Sequence, residues 1–255
     1  MTSRSLSTLG ASRGEVLDRL LKDRFSCRAF QSTPVSKETT EVILGMAQRT
    51  ASWCNLQPWH VIVTTDDETA RLGAKLAAHS TDDGGYDIPA PAEYFGEYRE
   101  RRRTAGFGLY NSLGIARDDL EARREQALRN YSFFGAPHVA VISCDDELGP
   151  YAYVDCGGYI ANFMLAATSL GVATIAQASV ARLAVVIREH FVLPDERTVL
   201  AVVAFGYAED GHPANAFRTE RAPIQESVRW KGFASESPDS AETLTPRNNG
   251  KEQVQ

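Results

Sequence analysis

Four short segments of this 255-residue chain carry side chains suited to gripping a ligand. The first is Arg24-Phe25-Ser26-Cys27-Arg28-Ala29-Phe30. On an extended backbone alternate side chains share a side, so two guanidiniums and a hydroxyl would project together. Such a fork of donors suits a phosphate, which arginine grips bidentately; a solvated basic patch is the other reading of so short a pattern. The second segment is Ser52-Trp53-Cys54-Asn55-Leu56-Gln57-Pro58-Trp59, directly ahead of a strand. Asn55 and Gln57 bring amide donors and acceptors into a loop, where ligands commonly sit. A turn with two core tryptophans would look the same. In the third segment, Ala176-Gln177-Ala178-Ser179, a helix begins, and the first N–H groups of a helix have no partner within it. The fourth is Phe205-Gly206-Tyr207, followed by Arg218 and Arg221. A glycine at 206 would let backbone and ligand approach closely.

Other chemistries lack their residues. No Gly-x-Gly-x-x-Gly follows a strand, so a separate dinucleotide domain is not supported. Gly106-Phe107-Gly108 lacks the third glycine and reads as a bend. His60, His79, His138, His190 and His212 are dispersed, and the four cysteines show no Cys-x-x-Cys and no zinc-like spacing with histidine. No Gly-x-Ser-x-Gly marks a hydrolase. The net charge of -6 and the pI near 5.5 provide no basic field for nucleic acid or an anionic membrane, so any bound anion must be met by local cations.

Periodicity predicts the helices and strands around these segments. Val16, Leu17, Leu20 and Leu21 predict an amphipathic helix over 13–23, and Val42, Ile43, Met46 and Ala47 a second. Residues 59–65 predict a strand, and Asp66 is placed to cap a helix running to about His79. Residues 80–113 read as a lid insertion carrying a short helix or two, with aromatics (Tyr94, Phe95, Tyr98, Phe107, Tyr110) beside the basic run 99–103. A charged helix is expected over 118–129, a strand over 137–144, and the most apolar helix over 153–171. A short strand then precedes a helix over 180–191, and 198–205 is apolar on both faces, as a mid-sheet strand must be. The run 151–186 is interrupted by Asp155, Asn162 and Arg182, so it reads as a buried helix and its successors rather than a membrane span. Residues 234–255 read as a mobile polar tail. Scattered cysteines and no apolar leader in 1–14 point to the cytoplasm. Spacing alone predicts an α/β chain with helices around a central sheet.

Taken in order and at these separations, the four segments resemble the FMN-dependent nitroreductase family, over about 16–230 and including the closing Pro223-Ile-Gln-Glu226-Ser-Val-Arg-Trp230. The resemblance implies an α+β fold with a mostly antiparallel sheet flanked by helices, in an intertwined homodimer with FMN at the interface. It implies one FMN-binding domain over 13–233. Arg24, Ser26 and Arg28 match phosphate and ribityl contacts, Asn55 and Gln57 match contacts to the ribityl chain or the isoalloxazine edge, and Gln177, Ala178 and Ser179 match the loop whose N–H groups face flavin N5 and O4. Gly206 falls in the matching glycine segment, Arg218 matches a late arginine reaching the phosphate, and Arg221 is a second candidate for that task. Trp53 and Cys54 stand where many members have small residues; Trp53 would narrow the pocket or stack on substrate, and Cys54 is either a packed or a reactive thiol.

The aromatics of 80–113 resemble those of the branch that reduces nitrobenzoates, which makes Tyr94 and Phe107 candidate substrate contacts along with Trp53. The run 99–103 is either a solvated helix face or a partner for a substrate carboxylate. The implied reaction is ping-pong: NADH or NADPH reduces FMN, then a nitroarene accepts electrons in the same pocket, giving nitroso and hydroxylamine products. No side chain need act as an essential acid or base, so no catalytic residue is assigned. Alternatives are the same scaffold acting on quinones, enones or halogenated aromatics, and a non-catalytic flavin-binding protein.

Overall fold

A computed structural model describes residues 11–82 and 85–233. Helix α1, Arg13–Asp23, starts behind a capping box: Ser12 Oγ accepts from the Glu15 N–H while the Glu15 carboxylate accepts from the Ser12 N–H. Helix α2, Lys37–Ala47, is capped by Ser36. Strand β1, His60–Thr65, leads into α3, Asp66–Ala78. Helices α4, Gly96–Ser112, and α5, Leu120–Leu128, follow, the latter capped by Asp119. Strand β2, His138–Asp145, α6, Pro150–Ser169, and β3, Ala173–Gln177, come next. Helices α7, Ala178–Ala181, and α8, Ala184–Phe191, precede β4, Arg197–Gly206, and α9, Pro213–Ala216. No described helix is long and apolar enough to cross a membrane.

The strands pair in the order β1-β2-β4-β3, antiparallel throughout, so the mixed α/β expectation from spacing gives way to the α+β arrangement. Alternation along the two central strands divides the core between the sheet's faces. Val139 and Val141 of β2, with Val202 and Ala204 of β4, pack with Leu72 and Leu76 of α3 and Ile187 of α8. Ala140, Ile142, Val203 and Phe205 face the other way, onto Ile43 and Ala47 of α2 and Tyr159 and Phe163 of α6. Each fully buried aromatic or aliphatic side chain there contributes about 1.5–3 kcal/mol.

Several local expectations need correction. Asp66 is not the helix cap: Thr65 holds that position, while Asp66 takes φ 43° and gives its N–H to the Pro137 carbonyl. The insertion carries one 17-residue helix, α4, rather than short pieces, and Gly106 to Gly108 lie within it instead of forming a bend. A Cβ on Gly108 would stand 2.4 Å from the Phe217 ring, so that glycine serves close packing of α4 against the end of α9. The helix expected over 180–191 is broken at Arg182 and Leu183, separating α7 from α8.

The break has a structural use. Arg182 donates to the Ser80 and Asp82 carbonyls (2.7 and 2.6 Å) and to the Tyr131 hydroxyl (2.8 Å). Arg188 of α8 pairs with Asp87 at 2.5 Å, and the same carboxylate accepts the Val199 N–H at 2.8 Å. The entry of the insertion is thereby pinned to the sheet's helical layer. The chain divides into two units, Met1–Arg218 and Thr219–Gln255. In the second, a 3-10 turn spans Ile224–Glu226, and the Trp230 and Phe233 rings meet edge to face at 5.1 Å. The expected tail over 234–255 lies outside the described residues.

Candidate active site

The arginine segment is extended because the fold pins it at both ends. Ser26 bridges Thr174 at the start of β3, the Cys27 N–H donates to the Thr174 carbonyl at 3.0 Å, and the Gln31 N–H donates to the Tyr207 carbonyl at 2.8 Å. Between them sits Asn215 of α9, which the sequence reading missed. Its Oδ1 accepts the Arg28 N–H at 2.8 Å, and its Nδ2 donates to the Ala29 and Glu209 carbonyls at 2.8 and 3.1 Å. Three residues on, the Arg218 guanidinium donates to the Asn215 carbonyl and lies 4.0 Å from the Phe25 ring centroid. Arg24, Ser26, Arg28 and Arg218 thus belong to one locality, although almost 200 residues separate the two parts.

Arg28 and Arg218 meet no carboxylate there among the described residues. Arg28 is half-buried, and its guanidinium meets only the Ser26 carbonyl at 3.2 Å, with no carboxylate among the described residues. Burial pushes its proton affinity below arginine's usual value, yet a guanidinium stays charged in proteins. Burial also pushes the Cys27 thiol up to about 11, leaving it a neutral donor to the Ala29 carbonyl. A dianionic phosphate is the ligand that unpaired guanidiniums with a neighbouring serine fit.

The loop before β1 is strained. Cys54 (φ 49°), Asn55 (φ 58°) and Gln57 (φ 49°) all adopt the left-handed region, at about 1 kcal/mol each, a form of strain that clusters at functional sites. Hydrogen bonds hold it: Gln57 N–H to Ser52 Oγ at 2.9 Å, Trp53 N–H to Asp155 at 3.1 Å, and Gln48 bridging Trp59 Nε1 (2.9 Å) to Gln57 Oε1 (3.1 Å). Pro58 and Trp59 are buried, so the anchoring tryptophan is Trp59, while Trp53 is exposed and meets Tyr151 edge to face at 4.8 Å. Asn55 and Gln57 are exposed.

At the start of α7 the side chain of Gln177 is buried and points back to Asn130, donating to its carbonyl and its Oδ1 at 3.0 and 3.2 Å. Ser179 Oγ donates to the same Oδ1 at 3.1 Å. Asn130, a second residue that the sequence reading missed, fixes this turn, and Ala178 and Ser179 remain exposed with no side chain capping the helix. Gln177 Oε1 is buried without a hydrogen-bond partner.

The remaining expected residues are dispersed. A Cβ on Gly206 would stand 2.8 Å from Pro137 Cδ and 3.3 Å from Phe30 Cδ1, so the close approach observed there is to protein. Tyr94 carries the Arg102 guanidinium at 5.0 Å and Phe107 that of Arg117 at 4.5 Å, and Trp53, Tyr94 and Phe107 make no ring contact with one another. Arg221 lies in the second unit and donates to Thr219 and Glu220. Asn215 and Asn130 carry no local signal, because their partners are 187 and 47 residues away in the chain.

Comparison with known proteins supports one assignment. The model of the nitroreductase family matches residues 21–207. The 4-nitrobenzoate reductase of a Nocardioides species is 31% identical over 222 residues, spanning 85% of this chain and 90% of that protein. The nitroreductase NfnB of Mycolicibacterium smegmatis is 34% identical over 218 residues, spanning 85% of this chain and 93% of that one. Among solved structures, the FMN-dependent nitroreductase NfnB from Mycobacterium smegmatis in complex with NADPH superposes with a TM-score of 0.82 at 32% identity, covering 86% of this chain and 100% of that chain. With the antiparallel four-stranded sheet and the arginine-bearing segment before it, these matches place the chain in the nitroreductase family.

Proposed function

We propose that this chain is an FMN-dependent NAD(P)H oxidoreductase that reduces nitroaromatic compounds. The observation that carries the reading is the meeting of Arg28 and Arg218 at Asn215, unpaired by acid, beside Ser26. Arg24, Ser26, Arg28 and Arg218 would hold the FMN phosphate, with charge-assisted hydrogen bonds of about 1.5–3 kcal/mol each. Asn55 and Gln57 would meet the ribityl chain or ring edge. The N–H groups of Ala178 and Ser179 would donate to the ring's N5 and O4 edge, stabilising the negative charge that reduction places there. FMN, when bound, supplies two-electron hydride chemistry between a nicotinamide and a nitro group, taking the latter to nitroso and then hydroxylamine. Water supplies the protons, so no side chain acts as an essential acid or base. Residues 85–113 would roof the site, with Tyr94 and Phe107 as substrate contacts, and Trp53 would narrow the pocket or stack on substrate.

The active form is a homodimer with FMN at the interface. Two features support it: α1 buries none of its residues although Val16, Leu17 and Leu21 form an apolar stripe, and α6 exposes Tyr151 and Val154. An anaerobic absorbance titration with NADPH and NADH, followed by 4-nitrobenzoate, tests the function. A flavin spectrum that bleaches and then recovers is expected. Bleaching without recovery would discard the nitroarene, and a protein that takes up no FMN would overturn the reading.

A further inference from the structure

The basic run of α4 has partners. Arg99 pairs with Glu93 at 4.0 Å, Arg101 with Glu97 at 3.3 Å and Arg103 with Glu100 at 3.7 Å, while Arg102 lies over Tyr94. These are the intrahelical and local pairs of a solvated helix face. Arg117 and Arg123, flanking the start of α5, are different. Their guanidinium carbons lie 4.5 and 5.7 Å from the centroid of the same Phe107 ring, and Arg123 lies 5.2 Å from that of Tyr110. Arg123 Nη1 donates to the Arg117 carbonyl at 2.9 Å, and neither guanidinium pairs with a carboxylate among the described residues.

The donors nearby are orphaned as well. Arg123 Nε is buried with no acceptor. So is Nε2 of Gln126, a residue only 8% exposed and three positions further along α5, on the same face. Buried donors without acceptors are rare in folded proteins because each forfeits its hydration, so two on one helix face point to a missing acceptor. A guanidinium stacked on an aromatic ring keeps its in-plane N–H groups available, which suits a planar oxyanion. Two positive charges held this close without a counter-ion favour an anion over a neutral carbonyl.

The cluster also lies beside the candidate active site. Gly108, next to Phe107, receives the Phe217 ring that precedes Arg218. The C-terminal end of α5 runs into Asn130, which holds Gln177 and Ser179. We propose that Arg117, Arg123 and Gln126 form an oxyanion subsite on the roof of the active site, taking a carboxylate or phosphate of the molecule bound below. The source is either the carboxylate of an aromatic acid substrate or the 2′-phosphate of NADPH. This rests on the oxidoreductase reading above.

The test uses the FMN-loaded full chain as wild type, Arg123→Gln, Arg117→Gln and the control Arg99→Gln. Calorimetry measures binding of benzoate and of adenosine 2′,5′-bisphosphate, neither of which is reduced. Kinetics compare 4-nitrobenzoate with nitrobenzene and NADPH with NADH. Losing one charge-assisted contact weakens the anion that uses it by about 10-fold or more. The expected result is that loss for one probe in Arg123→Gln and Arg117→Gln, a matching rise in KM for the corresponding substrate, and no change with nitrobenzene, with NADH or in Arg99→Gln. Weaker benzoate identifies the carboxylate source, and weaker bisphosphate the phosphate source. Unchanged binding of both probes, or equal damage to charged and neutral substrates, overturns the subsite. A wild type that binds an anion but is not reduced by nicotinamide would instead sink the oxidoreductase reading and leave the anion site standing.

Discussion

Replacing Asn215 with alanine tests whether a single amide organises the phosphate-facing segment. The substitution removes the only acceptor seen for the Arg28 N–H, at 2.8 Å, and the donor to the Ala29 and Glu209 carbonyls at 2.8 and 3.1 Å. The Ala29 carbonyl keeps the Glu209 N–H at 2.9 Å, so the Arg28 N–H is the group left exposed to the full penalty. An orphaned buried N–H costs about 1–3 kcal/mol, and each lost neutral hydrogen bond about 0.5–1.5 kcal/mol. With partial relaxation, the loss of stability comes to about 2–4 kcal/mol, or a fall in Tm of about 5–15 °C for a chain of this size. FMN affinity should fall by more than stability alone explains, because the segment carrying Arg28 loses the side chain that holds its N–H, while Arg218 keeps its bond to the backbone carbonyl of residue 215. One misplaced charge-assisted contact of about 1.5–3 kcal/mol weakens Kd by roughly 10- to 150-fold. Differential scanning fluorimetry of the apoprotein and fluorescence titration with FMN measure the two quantities separately. An Asn215→Ala protein that melts within about 1 °C of wild type and binds FMN as tightly would refute the anchoring argument.

Three further perturbations test other parts of the structure. Val192 ends α8 at φ 53° while 88% exposed, so Val192→Gly relieves a left-handed β-branched residue and should raise stability by about 1 kcal/mol; a lowered Tm would contradict this. Gly206→Ala should cost about 1–3 kcal/mol in urea unfolding, because its Cβ would meet Pro137 Cδ at 2.8 Å, and a neutral result would mean that the 137 turn yields freely. His138 is buried, accepts the Val35 N–H at 2.8 Å and sits 3.2 Å from the Thr64 carbonyl through Nδ1, and burial lowers its pKa. The unfolded chain therefore binds the extra proton first, so stability is intact above the free histidine value of about 6.5 and falls as pH drops from there toward the depressed native value. Urea midpoints at stepped pH should show that fall in wild type and lose it in His138→Gln; identical pH profiles for the two would remove His138 as the cause.

Periodicity carried the main elements because burial of one face imposes it. The apolar stripe of α1, the alternation split between the two faces of β2 and β4, and the apolar character of α6 were all legible, since each depends on residues within a few positions of one another. The family resemblance, resting on four loose segments in order, supplied the antiparallel sheet that spacing alone did not. Local breaks were legible only in part. Gly106 and Gly108 looked like a bend, but nothing nearby in sequence announces the Phe217 ring that needs the space at 108. The separation of α7 from α8 likewise depends on Arg182 reaching back to Ser80 and Asp82, about 100 residues earlier.

Arg24, Ser26, Arg28, Gln177, Ser179 and Arg218 were visible as donor-bearing residues because arginine, serine and amide side chains advertise their chemistry by type. Which of the many arginines lack a counter-ion was not visible, because that depends on what the fold places opposite each one. The run 99–103 drew notice for its density and turned out to be paired, whereas Arg117 and Arg123 stand in unremarkable sequence and were left unpaired by the approach of α5 to the Phe107 ring. Asn215 and Asn130, which carry no pattern at all, hold the two halves of the site in place. Residue types and periodicity were enough for most of the elements, the fold family and the inventory of donors. Tertiary structure alone decided which donors meet, which charges cancel and which buried groups remain unsatisfied, because hydrogen bonds and ion pairs act through distances of about 3–4 Å that chain separation does not encode.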